Sequence, residues 1–234
     1  MLRTLQNTIS EHNKRNEIIL MLLMSILCFT FSVFRVFYSE SKLFLFLNWN
    51  LFLAFIPWLL STLVIIKPTL QNNKITLWVL LFTWILFFPN APYILTDLFH
   101  LGRKSAMPLW FDLILILSFA WTGLLFGFLS LWNIDNLLKK TFSEKWVTAI
   151  IIGLLFLSSF GIYLGRYLRW NSWDIMTHPF ALLCDITDRF INPFAHPRTW
   201  GVTIFMGIFL NMMYWSFKLI KNQEVQKKYH NEHY

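Results

Sequence analysis

Asp97 and His100 lie three residues apart in this 234-residue chain, and Asp174 and His178 lie four apart. Either spacing puts a carboxylate and an imidazole on one helix face, the pairing that general acid–base chemistry uses. Asp97, His100 and Asp174 are therefore the catalytic candidates. Together with His178, and with Asp112, Asp185 or His196 as further donors, they offer oxygen and nitrogen ligands suited to a divalent metal such as zinc or manganese. No HExxH or comparable signature accompanies them, and Pro179 interrupts helix continuity directly after His178. Ordinary ion pairs to Arg103, Arg166 or Arg169 compete with a metal site, and no other cofactor is implied. Thr96 and Ser172 stand near Asp97 and Asp174 without the strained turn that activates a nucleophile. The two cysteines, Cys28 and Cys184, make neither a disulfide framework nor a thiolate metal motif.

Arg166 and Arg169 offer a different chemistry. Three apart at the end of an apolar run, they share a face if the helix continues, and two guanidinium groups can clamp a phosphate or a carboxylate. In the competing reading they snorkel among interfacial tryptophans and complement the helix dipole. With Asn90, Tyr93, Asp97, His100, Asn171 and Asp174 they form the candidate ligand-binding set. Charged groups near hydrocarbon pair or line a wet cavity, so the cluster around Asp97 and the cluster around Arg166 are expected to meet in space.

Long apolar segments must position these groups. Hydrophobic residues make up 56% of the chain and charged residues 14%, with a mean hydropathy of +0.53, which places it outside the soluble globular class. At about 20 residues per span, six helices are predicted over 18–38, 44–66, 75–99, 110–132, 146–166 and 200–220. The expectation is an all-α polytopic membrane bundle, a single domain over 1–234, with an interfacial segment over 167–199. The first run exceeds the roughly 7–15 residues of a signal-peptide core and lacks a small-x-small cleavage site, so it reads as a retained span.

Six spans put twelve of the 20 lysines and arginines on the side of the termini and eight on the other, which orients both termini to the cytoplasm of a cell membrane. That distribution also accounts for the net charge of +8 without nucleic acid. Ten of the twelve lysines fall inside and six of the eight arginines outside, and arginine is the residue of bidentate anion recognition. Trp110, Trp170, Trp173 and Trp200 then fall at outer ends, and Trp78, Trp132, Trp146 and Trp215 at inner ends, as interfacial belts require.

The third span carries the densest polar break. From Ile75 to Phe88 it reaches about 21 Å at 1.5 Å per residue, short of a hydrocarbon core of about 30 Å. Pro89 and Pro92 are expected to break the helix, with Tyr93 to Leu101 completing the crossing as a short helical piece or a bend. Gly123/Gly127 and Gly161/Gly165 are Gly-x-x-x-Gly pairs that allow close backbone approach. Pro179 to Ile191 has the form of an amphipathic interfacial helix whose stripe is Phe180, Leu183, Cys184, Thr187, Phe190 and Ile191, with Asp185, Asp188 and Arg189 off it.

The runs Asn90-Ala91-Pro92-Tyr93-Ile94-Leu95-Thr96-Asp97-Leu98-Phe99-His100-Leu101 and Gly165-Arg166-Tyr167-Leu168-Arg169-Trp170-Asn171-Ser172-Trp173-Asp174 resemble the signatures of the bacterial membrane-protein family known as domain of unknown function 1361. The resemblance extends over nearly all of the chain and implies a multi-span protein, with no activity to carry over. Three functions remain open: binding of an anionic lipid or cell-envelope precursor, modification of an envelope lipid by Asp97, His100 and Asp174, and a small transporter, to which a broken span points, although the polar residues sit at one face and the inner halves of the spans carry no matching charges. Protein partners and oligomeric state cannot be read from the sequence.

Overall fold

The computed structural model describes residues 2–102 and 107–231, with side chains from Lys14 to Gln223. Arg103 and Lys104, which enter the charge count above, lie outside the described residues, as do the side chains of Arg3, Lys227 and Lys228. The described residues are helical throughout, with no strand among them. In chain order they form α1 (Leu2–Ser39), α2 (Phe46–Ile66), α3 (Thr69–Asn72), α4 (Lys74–Phe87), α5 (Asn90–Tyr93), a 3₁₀ segment (Ile94–His100), α6 (Leu109–Leu138), α7 (Glu144–Tyr167), α8 (Asp174–Thr177), α9 (Pro179–Ile191), a 3₁₀ turn (Pro193–Ala195) and α10 (Pro197–Asn231). Six helical stretches are long and apolar enough to cross a membrane: Lys14–Ser39, Phe46–Ile66, Lys74–His100, Leu109–Leu138, Glu144–Tyr167 and Pro197–Gln223. This is a multi-pass membrane protein.

α6 is the central helix. Two-thirds of its apolar window is buried, against 17% for the first span, and it packs on α1, α2, α5, α7 and the 3₁₀ segment. Ser130 on α6 accepts from the Trp84 indole of α4 at 2.5 Å and donates to the Pro57 carbonyl of α2 at 2.9 Å. One hydroxyl thus ties three spans where no water is at hand.

α4 starts where Asn73 accepts from the amides of Ile75 and Thr76, the usual cap for orphan N–H groups. It ends at Phe87 because Pro89 and Pro92 have no N–H to give. The chain nevertheless stays right-handed, with Phe88, Pro89 and Tyr93 all in the α region. It then tightens into seven residues of 3₁₀ helix. A run of that length is unusual, and mid-helix 3₁₀ commonly marks a hinge or a functional element.

The two glycine pairs explain how this segment is held. A Cβ on Gly123 would come within 2.9 Å of the Ala91 carbonyl and 2.7 Å of the Ile94 side chain, and one on Gly161 within 2.8 Å of the Pro89 ring. Gly127 and Gly165 lie against Ala91 and Tyr93 in the same way. The grooves of α6 and α7 therefore clasp the broken segment of the third span from two sides.

Candidate functional site

The 3₁₀ turn and the end of α7 bring Asp97 to Arg166. Arg166 Nη2 donates to Asp97 Oδ1 at 2.5 Å, Nε donates to Thr96 Oγ1 at 2.8 Å, and Nη1 donates to His100 Nε2 at 3.1 Å. Since a guanidinium can only donate, that imidazole nitrogen is the unprotonated one. The guanidinium also sits 4.5 Å from the centre of the Tyr93 ring. The other carboxylate oxygen of Asp97 accepts from the Asn50 amide at 2.8 Å. Asp97 is 1% exposed, and a buried carboxylate with both oxygens engaged anchors its neighbours.

In front of this ion pair lies a cavity of about 400 Å³, within the range of about 300–1,000 Å³ typical of ligand sites. Tyr93 and Asn50 belong to both, each with one side toward the ion pair and the other lining the cavity. The walls come from α2, α4, the broken segment and α7, and α9 closes the cavity with Leu182, Ile186 and Phe190. The lining is mainly apolar. Its polar members are few: Asn50, Asn90, Asn171, Ser172, Tyr93 and the indoles of Trp49 and Trp170.

The loop after α7 is pinned to the third span. Asn90 donates to Phe87 O and to Ser172 Oγ, both at 2.9 Å, and Ser172 donates to Leu86 O at 3.0 Å. Trp170 donates to Asp185 Oδ2 at 2.7 Å, which links the loop to α9. At the other end of α9, Asp188 accepts from Asn192 at 2.8 Å and meets His196 at 2.6 Å. Those hydrogen bonds hold the Asp188 carboxyl below its ordinary value.

Several expectations need correction. Arg166 and Arg169 do not share a helix face, because α7 ends at Tyr167 and Arg169 takes a left-handed φ of 62°. Arg169 is exposed and makes no hydrogen bond or ion pair with the described residues. The two arginines do not converge as a clamp: the first guanidinium already gives three of its five N–H groups to Thr96, His100 and Asp97. Asp174 stays outside the Asp97 cluster, accepting from the Asn171 backbone and side chain and from Thr177 in its own turn. Among the described residues the His178 imidazole meets its neighbour Thr177 alone, at 3.0 Å.

The other proposed metal donors are likewise engaged elsewhere. Asp112 turns inward to Arg35, 2.7 Å away in a pair 1% and 5% exposed, Asp185 pairs with Arg189 at 3.0 Å, and His196 with Asp188. Arg189, expected off the apolar stripe, faces inward and is buried.

Sequence reading missed three things. Asn50 holds Asp97, and its only signal was a pair of asparagines, Asn48 and Asn50, at the start of an apolar run. Arg35 is the buried partner of Asp112. A second set of buried charges lies at the other end of the bundle, about 35 Å along α6 at 1.5 Å per residue. There Asp135 of α6 meets Lys218 at 2.5 Å and Tyr214 at 3.3 Å, and Glu17 meets Lys14 at 2.7 Å and the Trp58 indole at 3.0 Å. These charges occupy the halves of the spans, away from the Asp97 cluster, that the sequence reading took to carry none, because α6 runs to Leu138 and keeps Asp135 inside the bundle.

The family model described as Protein of unknown function (DUF1361) matches residues 49–213, from the start of α2 into α10. The match takes in the broken segment, α7, the loop and α9, and so every wall of the cavity. No curated protein and no solved structure matches the chain.

Proposed function

The chain belongs to the DUF1361 family, and from that premise we propose that it binds a lipid at one face of the membrane, with part of the apolar body in the cavity beneath α9. The observation that carries this reading is the cavity itself, about 400 Å³ and mainly apolar in lining, in a chain whose surroundings are lipid. Its polar groups gather along the broken segment and the loop after α7. Arg169 precedes the lining residues Trp170 and Asn171 and offers a free positive charge for a phosphate-bearing head. The ligand class is an anionic lipid, drawn either from the bulk membrane or from envelope precursors. In this reading the face lies outside a cell membrane and both termini are cytoplasmic, which the lysine and arginine count supports.

A catalytic role for Asp97 and His100 finds less support, since both face Arg166 and stand behind Asn50 and Tyr93. Native mass spectrometry from mild detergent tests the binding reading. The wild type should carry a lipid-sized adduct that Ile186→Trp, which fills the cavity from α9, removes. The adduct's mass separates a bulk phospholipid from an isoprenoid phosphate. Equal adducts on both proteins would contradict the reading.

A further inference from the structure

The polar groups of the cavity are unevenly partnered. Asn50 gives its amide nitrogen to Asp97 Oδ2 at 2.8 Å, Asn90 to Phe87 O and Ser172 Oγ at 2.9 Å, and Asn171 to Asp174 Oδ2 at 3.2 Å. A carboxylate or a carbonyl can only accept, so these bonds fix which end of each amide is nitrogen. The three side-chain oxygens are then left without a hydrogen-bond partner among the described residues. All three residues line the cavity. The hydroxyl of Ser172 is spent on Leu86 O and the Trp170 indole on Asp185. The lining thus holds three free acceptors beside free N–H groups on Asn50, Asn171 and Trp49, so it matches a group that both gives and takes hydrogens, and an amide oxygen covered without a partner would lose its bond to water.

We propose that the side-chain oxygens of Asn50, Asn90 and Asn171 recognise hydroxyl groups, so that the bound lipid carries a glycerol- or sugar-like head. This rests on the reading that the cavity holds a lipid, and it adds the chemistry of the head. A bare phosphate could accept from the free N–H groups but would bring no hydrogen to the three amide oxygens. An ammonium would need a countercharge, and no carboxylate is among the described residues that line the cavity. A hydroxyl donates without carrying charge. The Tyr93 hydroxyl can give or take beside it.

The test offers the full-length protein four lipids with identical acyl chains: phosphatidylglycerol, phosphatidylethanol, phosphatidylethanolamine and phosphatidylcholine. Phosphatidylglycerol and phosphatidylethanol share an anionic phosphodiester and differ in the hydroxyls. Native mass spectrometry should show phosphatidylglycerol retained about ten-fold over phosphatidylethanol and phosphatidylcholine, the ratio that one or two ordinary hydrogen bonds supply. Phosphatidylethanolamine should fall below phosphatidylglycerol. Asn171→Leu, at an exposed loop position, and Asn90→Leu should each narrow the phosphatidylglycerol to phosphatidylethanol ratio several-fold. Equal retention of these two lipids, or phosphatidylethanolamine matching phosphatidylglycerol, overturns the assignment of the head. If Ile186→Trp abolishes retention of all four lipids while no head preference exists, the head assignment fails and the cavity reading stands. If Ile186→Trp leaves glycerol selectivity untouched, the lipid lies elsewhere and both readings fall.

Discussion

Asp97, a catalytic candidate in the sequence, is in the structure the buried partner of Arg166. The carboxylate is buried with Arg166 on one oxygen and Asn50 on the other, and through these contacts it sets the positions of Tyr93 and Asn50 at the cavity wall. Breaking a buried pair leaves one charge without a partner, at a cost of about 3–5 kcal/mol. Asp97→Asn and Arg166→Met should therefore each lower the thermal midpoint in detergent, and the double variant should lose less than the two losses combined. Additive losses would show that the two groups do not act as a pair. Arg166→Lys keeps the charge but not the fork that reaches Thr96, Asp97 and His100 together, so it should be only a partial rescue. The sequence located both residues because ionisable groups stand out in apolar runs. It could not show that Arg166 is engaged by three residues at once, since that depends on a 3₁₀ pitch placing Thr96, Asp97 and His100 around one guanidinium.

At the level of elements, the broken third span works because α6 and α7 make room for it. Gly123→Ala would drive a methyl toward the Ala91 carbonyl, which is backbone and cannot give way easily, whereas Gly153 has nothing within 4 Å of where a Cβ would stand. Gly123→Ala should cost about 1–3 kcal/mol by overpacking, while Gly153→Ala should be neutral or gain up to about 1 kcal/mol from helix propensity. Thermal unfolding of both variants in one detergent checks the contrast. The glycine pairs were legible in the sequence as close-approach motifs, but their partner was not: they clasp a helix break and not a neighbouring straight helix.

The lid α9 is apolar on two sides. Leu182 and Ile186 face the cavity, while Phe180, Leu183, Cys184, Thr187 and Ile191 point away from the protein. In a membrane that outer stripe lies in the leaflet. Cys28 is buried and Cys184 exposed, so a fluorophore attached at Cys184 in nanodiscs should be quenched by spin-labelled lipids and spared by aqueous iodide. The reverse pattern would place the stripe in water. The latch at the end of α9 adds a pH dependence. Because the Asp188 carboxyl is held below its ordinary value of 3.8, its contribution is complete above that value and is lost only as pH falls through the lower folded value. The protection factors of the Asn192, Ala195 and His196 amides should hold from neutral pH down to about pH 4.

For the whole molecule, hydropathy was enough to find six spans, because length and apolar composition alone decide what can cross a bilayer. Orientation follows from lysine and arginine placement, and reporter fusions after Tyr234 and within 179–197 should report opposite sides of the membrane. A cytoplasmic signal from the 179–197 insertion would remove the outer-face assignment. The cavity itself was not legible, since its walls come from three spans, a loop and a surface helix far apart in sequence. Only the polar rim, Asn90, Tyr93 and Asn171, carried a signal, because polar residues at span ends are rare enough to notice. The central claim, a lipid held beneath α9, is tested most directly by photo-crosslinking in membranes with phosphatidylglycerol bearing a diazirine near the end of one acyl chain, mapped by peptide mass spectrometry. The account predicts adducts on Leu86, Leu182 and Ile186, residues that line the cavity and are only partly exposed, and their loss in Ile186→Trp. Labelling confined to the exposed apolar faces, at residues such as Phe37, Phe82 and Phe205, with the cavity residues unlabelled, would contradict it.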